Sequence, residues 1–87
     1  MNQTSIEERV ERYVLKTEEV LKRLKVLGEF TVKESLIREV IDEAKRYFED
    51  AKYYLEMKEY DVSLASISYC EGLLDALRIL KLVEFEW

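Results

Sequence analysis

The stretch VSLASISYCEGLLDALRILKL, residues 62–82, decides the fold of this chain. At the 100° per residue of an α-helix, its apolar side chains cover an arc of roughly 200°. These side chains are Val62, Ala65, Ile67, Tyr69, Cys70, Leu73, Leu74, Ala76, Leu77 and Leu80. Glu71, Asp75 and Arg78 share a narrow polar strip opposite that arc. A helix this apolar has to pack on more than one neighbour, so we expect it to be the central helix of a small bundle.

An amphipathic helix is predicted at the start of the chain, over about residues 5–27. Its apolar residues recur in alternating steps of four and three, the spacing of a heptad seam. They are Ile6, Val10, Tyr13, Thr17, Val20, Leu24 and Leu27. Thr4 or Ser5, each with a glutamate three residues later, is the expected N-cap. Gly28 follows the seam directly and is the expected left-handed residue after the helix.

A second helix is predicted over about residues 31–57. Thr31 has Glu34 three residues later, which is the spacing of a capping box. One apolar stripe with charged residues on the other face indicates an amphipathic helix. The third helix is predicted over about residues 62–82. The break before it ends at Asp61, which is the expected N-cap of the third helix.

Composition supports this all-α architecture. The 87 residues include no proline and only two glycines, which are too few turn residues for a sheet. Short connections favour an antiparallel up-and-down three-helix bundle, with residues 1–87 as a single domain. Inside the third helix, Gly72 predicts the close approach of another helix backbone, because an interior glycine costs about 1 kcal/mol relative to alanine.

Charge and cysteine content bear on the compartment and the partners. The net charge is −5, and an acidic surface repels phosphate backbones, so we expect no nucleic-acid partner. One cysteine allows no internal disulfide, and neither a signal pattern nor a membrane-spanning run of about 20 apolar residues is present. We therefore expect a cytoplasmic protein without a membrane partner. Abundant Glu and Lys, with one Asn and one Gln, are typical of thermophile proteins.

Few residues in the chain could carry catalysis. There is no histidine, which removes the commonest general base, the commonest zinc ligand and every Ser-His or Cys-His nucleophile. There is also no glycine-rich loop to hold a phosphate. We expect neither an enzyme nor a cofactor. Cys70 lies on the apolar arc, where we expect it to be buried as a small hydrophobic residue.

Glu71 and Asp75 are the candidate ligand carboxylates. Their i,i+4 spacing puts both on one helical face, and Glu49 and Asp50 on the second helix are candidate further oxygen ligands. In the alternative interpretation Asp75 pairs with Arg78, and Glu71 is solvated or meets a basic residue of another helix. We expect no tight metal binding, because one helix supplies two ligands whereas Ca²⁺ takes about six to eight.

The last six residues, LVEFEW, form the candidate interaction surface. Its apolar members are Leu82, Val83, Phe85 and Trp87. Because glutamates alternate with the last three, an extended tail presents their side chains on one face. We expect this tail to fold over the end of the bundle or to dock on a second subunit. The leading hypothesis is a non-enzymatic protein-interaction or oligomerisation module, with a homodimer as one form; the alternative is a carboxylate-based metal or small-ligand site.

The segment SYCEGLLDA, residues 68–76, resembles the archaeal DUF357 family of small uncharacterised proteins. The resemblance extends through residues 54–56, 60–61 and 82–87. The chain departs from the family pattern at residues 57–59, where a glycine-containing turn is expected, and at Lys81, where glycine is expected. The resemblance implies an archaeal cytosolic three-helix domain, and it supplies no activity.

Overall fold

The computed structural model describes residues 3–28 and 31–87 of this protein, and the regular secondary structure of these residues is entirely helical. The three helices in chain order are α1 (Gln3–Arg23), α2 (Glu34–Glu56) and α3 (Tyr60–Ile79). The all-α prediction is confirmed, and so are the number and order of the helices. No described helix combines the length and the apolar character needed to cross a membrane.

The unit Met1–Phe30 contains one described helix, α1. This helix ends at Arg23, four residues before the predicted end. Lys22 and Arg23 lie in its last turn, where positive charge stabilises the C-terminal end of a helix. Gly28 lacks a positive φ, so the prediction of a left-handed glycine there is wrong. The predicted caps, Thr4 and Ser5, already lie inside the helix.

The second compact unit, Thr31–Trp87, contains α2 and α3 packed as an antiparallel hairpin. The Ser63 hydroxyl donates a hydrogen bond of 2.7 Å to the backbone carbonyl of Ala51, and the ring centroids of Tyr47 and Tyr69 are 4.4 Å apart. The higher-numbered residue of α3, Tyr69, contacts the lower-numbered residue of α2, Tyr47. The two helices therefore run in opposite directions. The buried residues of the hairpin are Ala44, Ala51, Ser63, Cys70 and Leu77. Most of them are small, which lets the two helix axes come close.

α2 ends in a Schellman motif with a lysine in the left-handed position. Lys58 has a φ of 62°. Its N–H donates to the Leu55 carbonyl at 3.1 Å, and the N–H of Glu59 donates to the Tyr54 carbonyl at 2.9 Å. These two bonds satisfy carbonyls that a helix end otherwise leaves open, and glycine is the usual residue at this position. The break between the helices spans residues 57–59, so it overlaps the predicted break at residues 58–61 and lies slightly earlier in the chain.

α3 ends in the same way. Lys81 also has a φ of 62°, and its N–H donates to the Arg78 carbonyl at 2.9 Å. The N–H of Leu82 donates to the carbonyl of Leu77 at 3.0 Å. Lysine thus adopts the left-handed conformation at the two places where the family pattern leads one to expect glycine.

The helix starts differ from the predicted caps. Lys33 and Glu59 are the N-cap residues of α2 and α3, and neither side chain forms a capping hydrogen bond. The predictions of Thr31 and Asp61 as N-caps are therefore wrong. Asp61 lies instead in the first turn of α3, where its negative charge interacts favourably with the helix dipole. α3 begins early because the carbonyl of Glu59 accepts the N–H of Ser63 at 3.0 Å.

Gly72 lies on the exposed side of α3. A Cβ atom added to this residue would have no neighbour within 4 Å among the described residues. Within the hairpin, α2 therefore does not supply the predicted close approach of another helix backbone. The glycine leaves a small conformational cost that no contact of the hairpin offsets.

Candidate interaction surface

The tail after α3 folds back along that helix. The indole N–H of Trp87 donates a hydrogen bond of 3.0 Å to Oδ1 of Asp75. The rings of Phe85 and Trp87 meet edge to face with centroids 5.0 Å apart, and the guanidinium of Arg78 lies 5.9 Å from the centroid of the Phe85 ring. These contacts place the tail against its own helix.

The apolar residues of the tail are divided between its own helix and solvent. Leu82, Val83 and Phe85 are half-buried, and the glutamates that alternate with them are exposed. Trp87 remains 68% exposed although its N–H is bonded. Of the four residues of the predicted surface, Trp87 is therefore the one that still offers most of its side chain to a partner.

The Asp75 carboxylate is held by N–H donors. Its Oδ1 atom accepts bonds of 3.2 and 2.9 Å from Arg78 in addition to the Trp87 bond. The Trp87 hydrogen bond and then the Arg78 hydrogen bond lower the pKa of the Asp75 carboxyl. The Asp75–Arg78 pair that the spacing predicts is thus present. Glu71 is exposed, and the residues that the structure describes include no group of three side chains able to hold a metal ion.

The α2–α3 hairpin has an apolar groove on each side of the line where the two helices meet. Buried Ala44 lies on that line, so its neighbours Glu43 and Lys45 diverge to opposite sides. The first groove, which we call the Leu73 groove, has a volume of about 420 Å³ and is lined by Leu36, Glu39, Val40, Glu43 and Leu73. The second, the Cys70 groove, has a volume of about 260 Å³ and is lined by Ile41, Ala44, Lys45, Phe48, Cys70 and Leu74.

The α2 edge of the Leu73 groove is acidic. Glu39 and Glu43 line the groove, and Asp50 follows Glu43 at a distance of seven residues on the same side of the helix. Glu43 also forms an ion pair with Arg46. This edge presents negative charge beside apolar surface.

The edges of the Cys70 groove carry opposite charges. On α2, Lys45 lines the groove, and Lys52, seven residues later, has its ammonium 5.5 Å from the centroid of the Phe48 ring. On α3, Glu71 lies next to Cys70 and one turn before Leu74, on the same side as the groove. The groove therefore has a basic edge on α2, and on α3 it has the acidic Glu71 followed seven residues later by Arg78.

The family model for "Protein of unknown function (DUF357)" matches residues 12–83 of this chain. The protein belongs to the DUF357 family. The matched range includes most of α1 and the whole hairpin, and within it lies the segment 68–76, which carries the resemblance in the sequence. No curated protein and no solved structure matches the chain significantly.

In this DUF357 protein, Cys70 forms part of the floor of its groove and is 5% exposed. Burial, and after it the negative charge of Glu71, raise the pKa of the Cys70 thiol. A raised pKa leaves less thiolate, and the thiolate is the nucleophile, so this cysteine is poorly reactive. Its predicted burial as a small hydrophobic residue is confirmed.

The charged edges of the two grooves were not predicted from the sequence. Lys45 and Lys52 are seven residues apart, and so are Glu43 and Asp50. Two residues separated by seven lie on the same side of a helix, so these spacings are the signal that could have identified the edges.

Proposed function

We propose that this DUF357 protein is a non-enzymatic interaction module built as an antiparallel up-and-down three-helix bundle. In this proposal α1 covers one groove of the hairpin and the other groove binds protein. The observation that carries it is that the hairpin has two apolar grooves, whereas α1 has one apolar stripe. A lone helix of 21 residues is only marginally stable in water and gains most of its stability from packing its apolar face. An apolar groove that remains uncovered marks a binding surface.

The charges beside the α1 stripe favour the Leu73 groove as its place. Basic residues recur every seven positions along one edge of the stripe, at Arg9, Lys16 and Arg23. An antiparallel pairing of α1 with α2 that sets Lys16 level with Glu43 also sets Arg9 level with Asp50, because both pairs of positions are seven apart. The basic edge of α1 then meets the acidic edge of α2, which supports this pairing over a random one.

In this proposal the Cys70 groove is open in the monomer. The stability of a variant at Phe48 tests whether it is. Phe48 is 44% exposed in the groove, so we expect Phe48→Glu to lower the free energy of unfolding by only about 1 kcal/mol. Leu77→Glu is the matched control, because Leu77 is 4% exposed in the contact between the helices and its loss costs about 3 kcal/mol or more. Urea denaturation of dilute protein measures both. A loss for Phe48→Glu as large as that for Leu77→Glu would show that the groove is filled by the protein's own chain.

The proposal assigns the module no catalysis, no cofactor, no nucleic acid and no membrane. It rests here on the lack of histidine and the net charge of −5, which disfavours contact with phosphate backbones. A single cysteine suits the reducing cytoplasm, where we place the protein. The charged composition suits a thermophile, and the resemblance to the DUF357 family implies an archaeal source.

The carboxylate alternative has less support. Three N–H donor contacts already engage Oδ1 of Asp75, which leaves Glu71 as the more accessible carboxylate of the pair. We expect calorimetry with Mg²⁺, Mn²⁺ or Ca²⁺ to show no micromolar binding to the protein. Micromolar affinity that disappears in Glu71→Gln would restore the metal site as the better hypothesis.

A further inference from the structure

We propose that the partner of the Cys70 groove is a second copy of this chain, seated by the same groove and related by a two-fold axis parallel to the helices. This inference rests on the proposed function, which leaves the groove open. It names the occupant, a homodimer partner, and the pair of charges that sets how the two copies meet.

Two opposite charges lie at one level of the groove. The Ala51–Ser63 and Tyr47–Tyr69 contacts fix the register of the hairpin. That register places Lys45, on the α2 edge, level with residues 69–71 and thus with Glu71 on the α3 edge. Within the part of the chain that the structure describes, neither Lys45 nor Glu71 forms an ion pair.

A two-fold axis parallel to the helices exchanges the two edges without changing their level. It brings α2 of one copy opposite α3 of the other, with the two helices antiparallel. Lys45 then faces the partner's Glu71, and Glu71 faces the partner's Lys45, so the interface contains the same pair twice. At the level of Lys45 and Glu71 the groove is therefore complementary to itself in charge under this rotation. The same rotation sets Arg78 level with the partner's Arg38, and each of these two arginines is already paired within its own helix, with Asp75 and with Glu34.

The apolar floor of the groove supplies the centre of such an interface. Ile41 and Leu74 are half-buried beside it, and Phe48 is an exposed aromatic side chain of the kind enriched in interface cores. Placing two hairpins groove to groove makes an arrangement of four antiparallel helices, a common way to bury apolar helix faces.

The Leu73 groove does not have this self-complementarity. Its α2 edge carries Glu39 and Glu43, while on α3 the same side is formed by uncharged Tyr69 and Ala76. Two copies that met through this groove would bring acidic edges together or set them against uncharged residues. The charges thus select the Cys70 groove for self-association.

Sedimentation equilibrium of the full chain at low ionic strength tests the dimer. We expect Lys45→Glu and Glu71→Lys each to weaken dimerisation about tenfold, because each places two like-charged pairs in the interface. The double variant exchanges the two charges, and we expect its dissociation constant to return to within about threefold of the unchanged protein. Asp42→Lys is the matched control for Glu71→Lys, since Asp42 lies on the face of α2 opposite both grooves, and it should leave dimerisation unchanged.

A protein that remains monomeric at hundreds of micromolar would overturn the inference. So would a double variant as weak as the single ones, or an effect of Asp42→Lys equal to that of Glu71→Lys. These failures are distinct from failure of the proposed function. If Phe48→Glu keeps most of its stability while the charge exchange does not rescue dimerisation, the groove is open and its partner is not a second copy.

Discussion

At Lys58 and Lys81 the chain places a side chain in a conformation that glycine adopts more easily. Both residues have a φ of 62°, and both donate one of the two backbone hydrogen bonds of a Schellman motif. The Cβ atom of an L-residue in this region costs roughly 1–2 kcal/mol. The hydrogen bonds that end α2 and α3, together with the packing of the hairpin, offset that cost.

Relief of this strain gives the first prediction. We expect Lys58→Gly and Lys81→Gly each to raise the free energy of unfolding by about 0.5–1 kcal/mol, because the gain in backbone geometry exceeds the added entropy of the unfolded chain. Lys45→Gly, inside α2, is the control, and we expect it to lower the free energy of unfolding by about 1 kcal/mol. Urea denaturation measures all three. Destabilisation by the first two variants would mean that the lysine side chains contribute more than the backbone strain costs.

Gly72 gives a second prediction at this scale. Since a Cβ atom added there meets nothing within 4 Å, Gly72→Ala should raise the free energy of unfolding by about 1 kcal/mol through helix propensity alone. Thermal denaturation followed by circular dichroism measures the change. A lower melting temperature would reveal a close neighbour at this position.

Among the elements, α1 depends on what its apolar stripe contacts. We expect Val20→Asp, within the heptad seam, to cost about 2–4 kcal/mol, because in the proposed bundle this seam packs on the hairpin and the change puts a charge into that interface. Leu15→Asp makes the same kind of change on the opposite face of α1 and should stay within about 0.5 kcal/mol of the unchanged protein. Denaturation of dilute samples compares the two variants. Equal losses would show that the stripe of α1 does not pack on the hairpin.

The tail is held to α3 by a titratable group, so its docking depends on pH. The Trp87 and Arg78 hydrogen bonds lower the pKa of the Asp75 carboxyl in the folded protein. The stabilisation they provide is therefore fully present above the ordinary pKa of an aspartate, and it is lost as the pH falls through the lowered value. Trp87 is the only tryptophan in the chain, so its fluorescence reports on the tail.

We expect the Trp87 emission to change as the pH falls through the lowered pKa of Asp75, and Asp75→Ala to show the low-pH emission already at neutral pH. Arg78→Lys retains a positive charge and should keep most of the neutral-pH signal. An emission change centred at or above the ordinary aspartate pKa, or an unchanged spectrum in Asp75→Ala, would contradict the observed hydrogen bond as the anchor of the tail.

For the molecule as a whole, the periodicity of the apolar residues predicted which segments form helices. The seam of α1 and the apolar arc of α3 identify the helices because their apolar residues recur at the helical period. The helix ends could not be predicted in the same way. A lysine in the left-handed conformation at position 58 carries no glycine signal, and Thr31 has the spacing of a cap that the chain does not use. The cost of Gly72 is also small enough for a folded domain to tolerate without a compensating contact.

In the candidate site, relations within one helix could be predicted from the sequence, and relations between two helices could not. Glu71 and Asp75 could be selected from their spacing on one helix, and the pairing of Asp75 with Arg78 followed from the same local geometry. Lys45 could not be connected with Glu71, because that relation depends on the register between α2 and α3. The register is a tertiary property set by contacts such as Ser63 with Ala51.

The central claim is that α1 covers the Leu73 groove and leaves the Cys70 groove open to a partner. Nuclear Overhauser effects between methyl groups, measured on the full chain with labelled Ile, Leu and Val, test it most directly. We predict contacts from the methyl groups of Val10 and Val20 to those of Leu73, and none from them to Ile41 or Leu74. Contacts to Ile41 and Leu74 instead, or no contacts between α1 and the hairpin at all, would contradict the account.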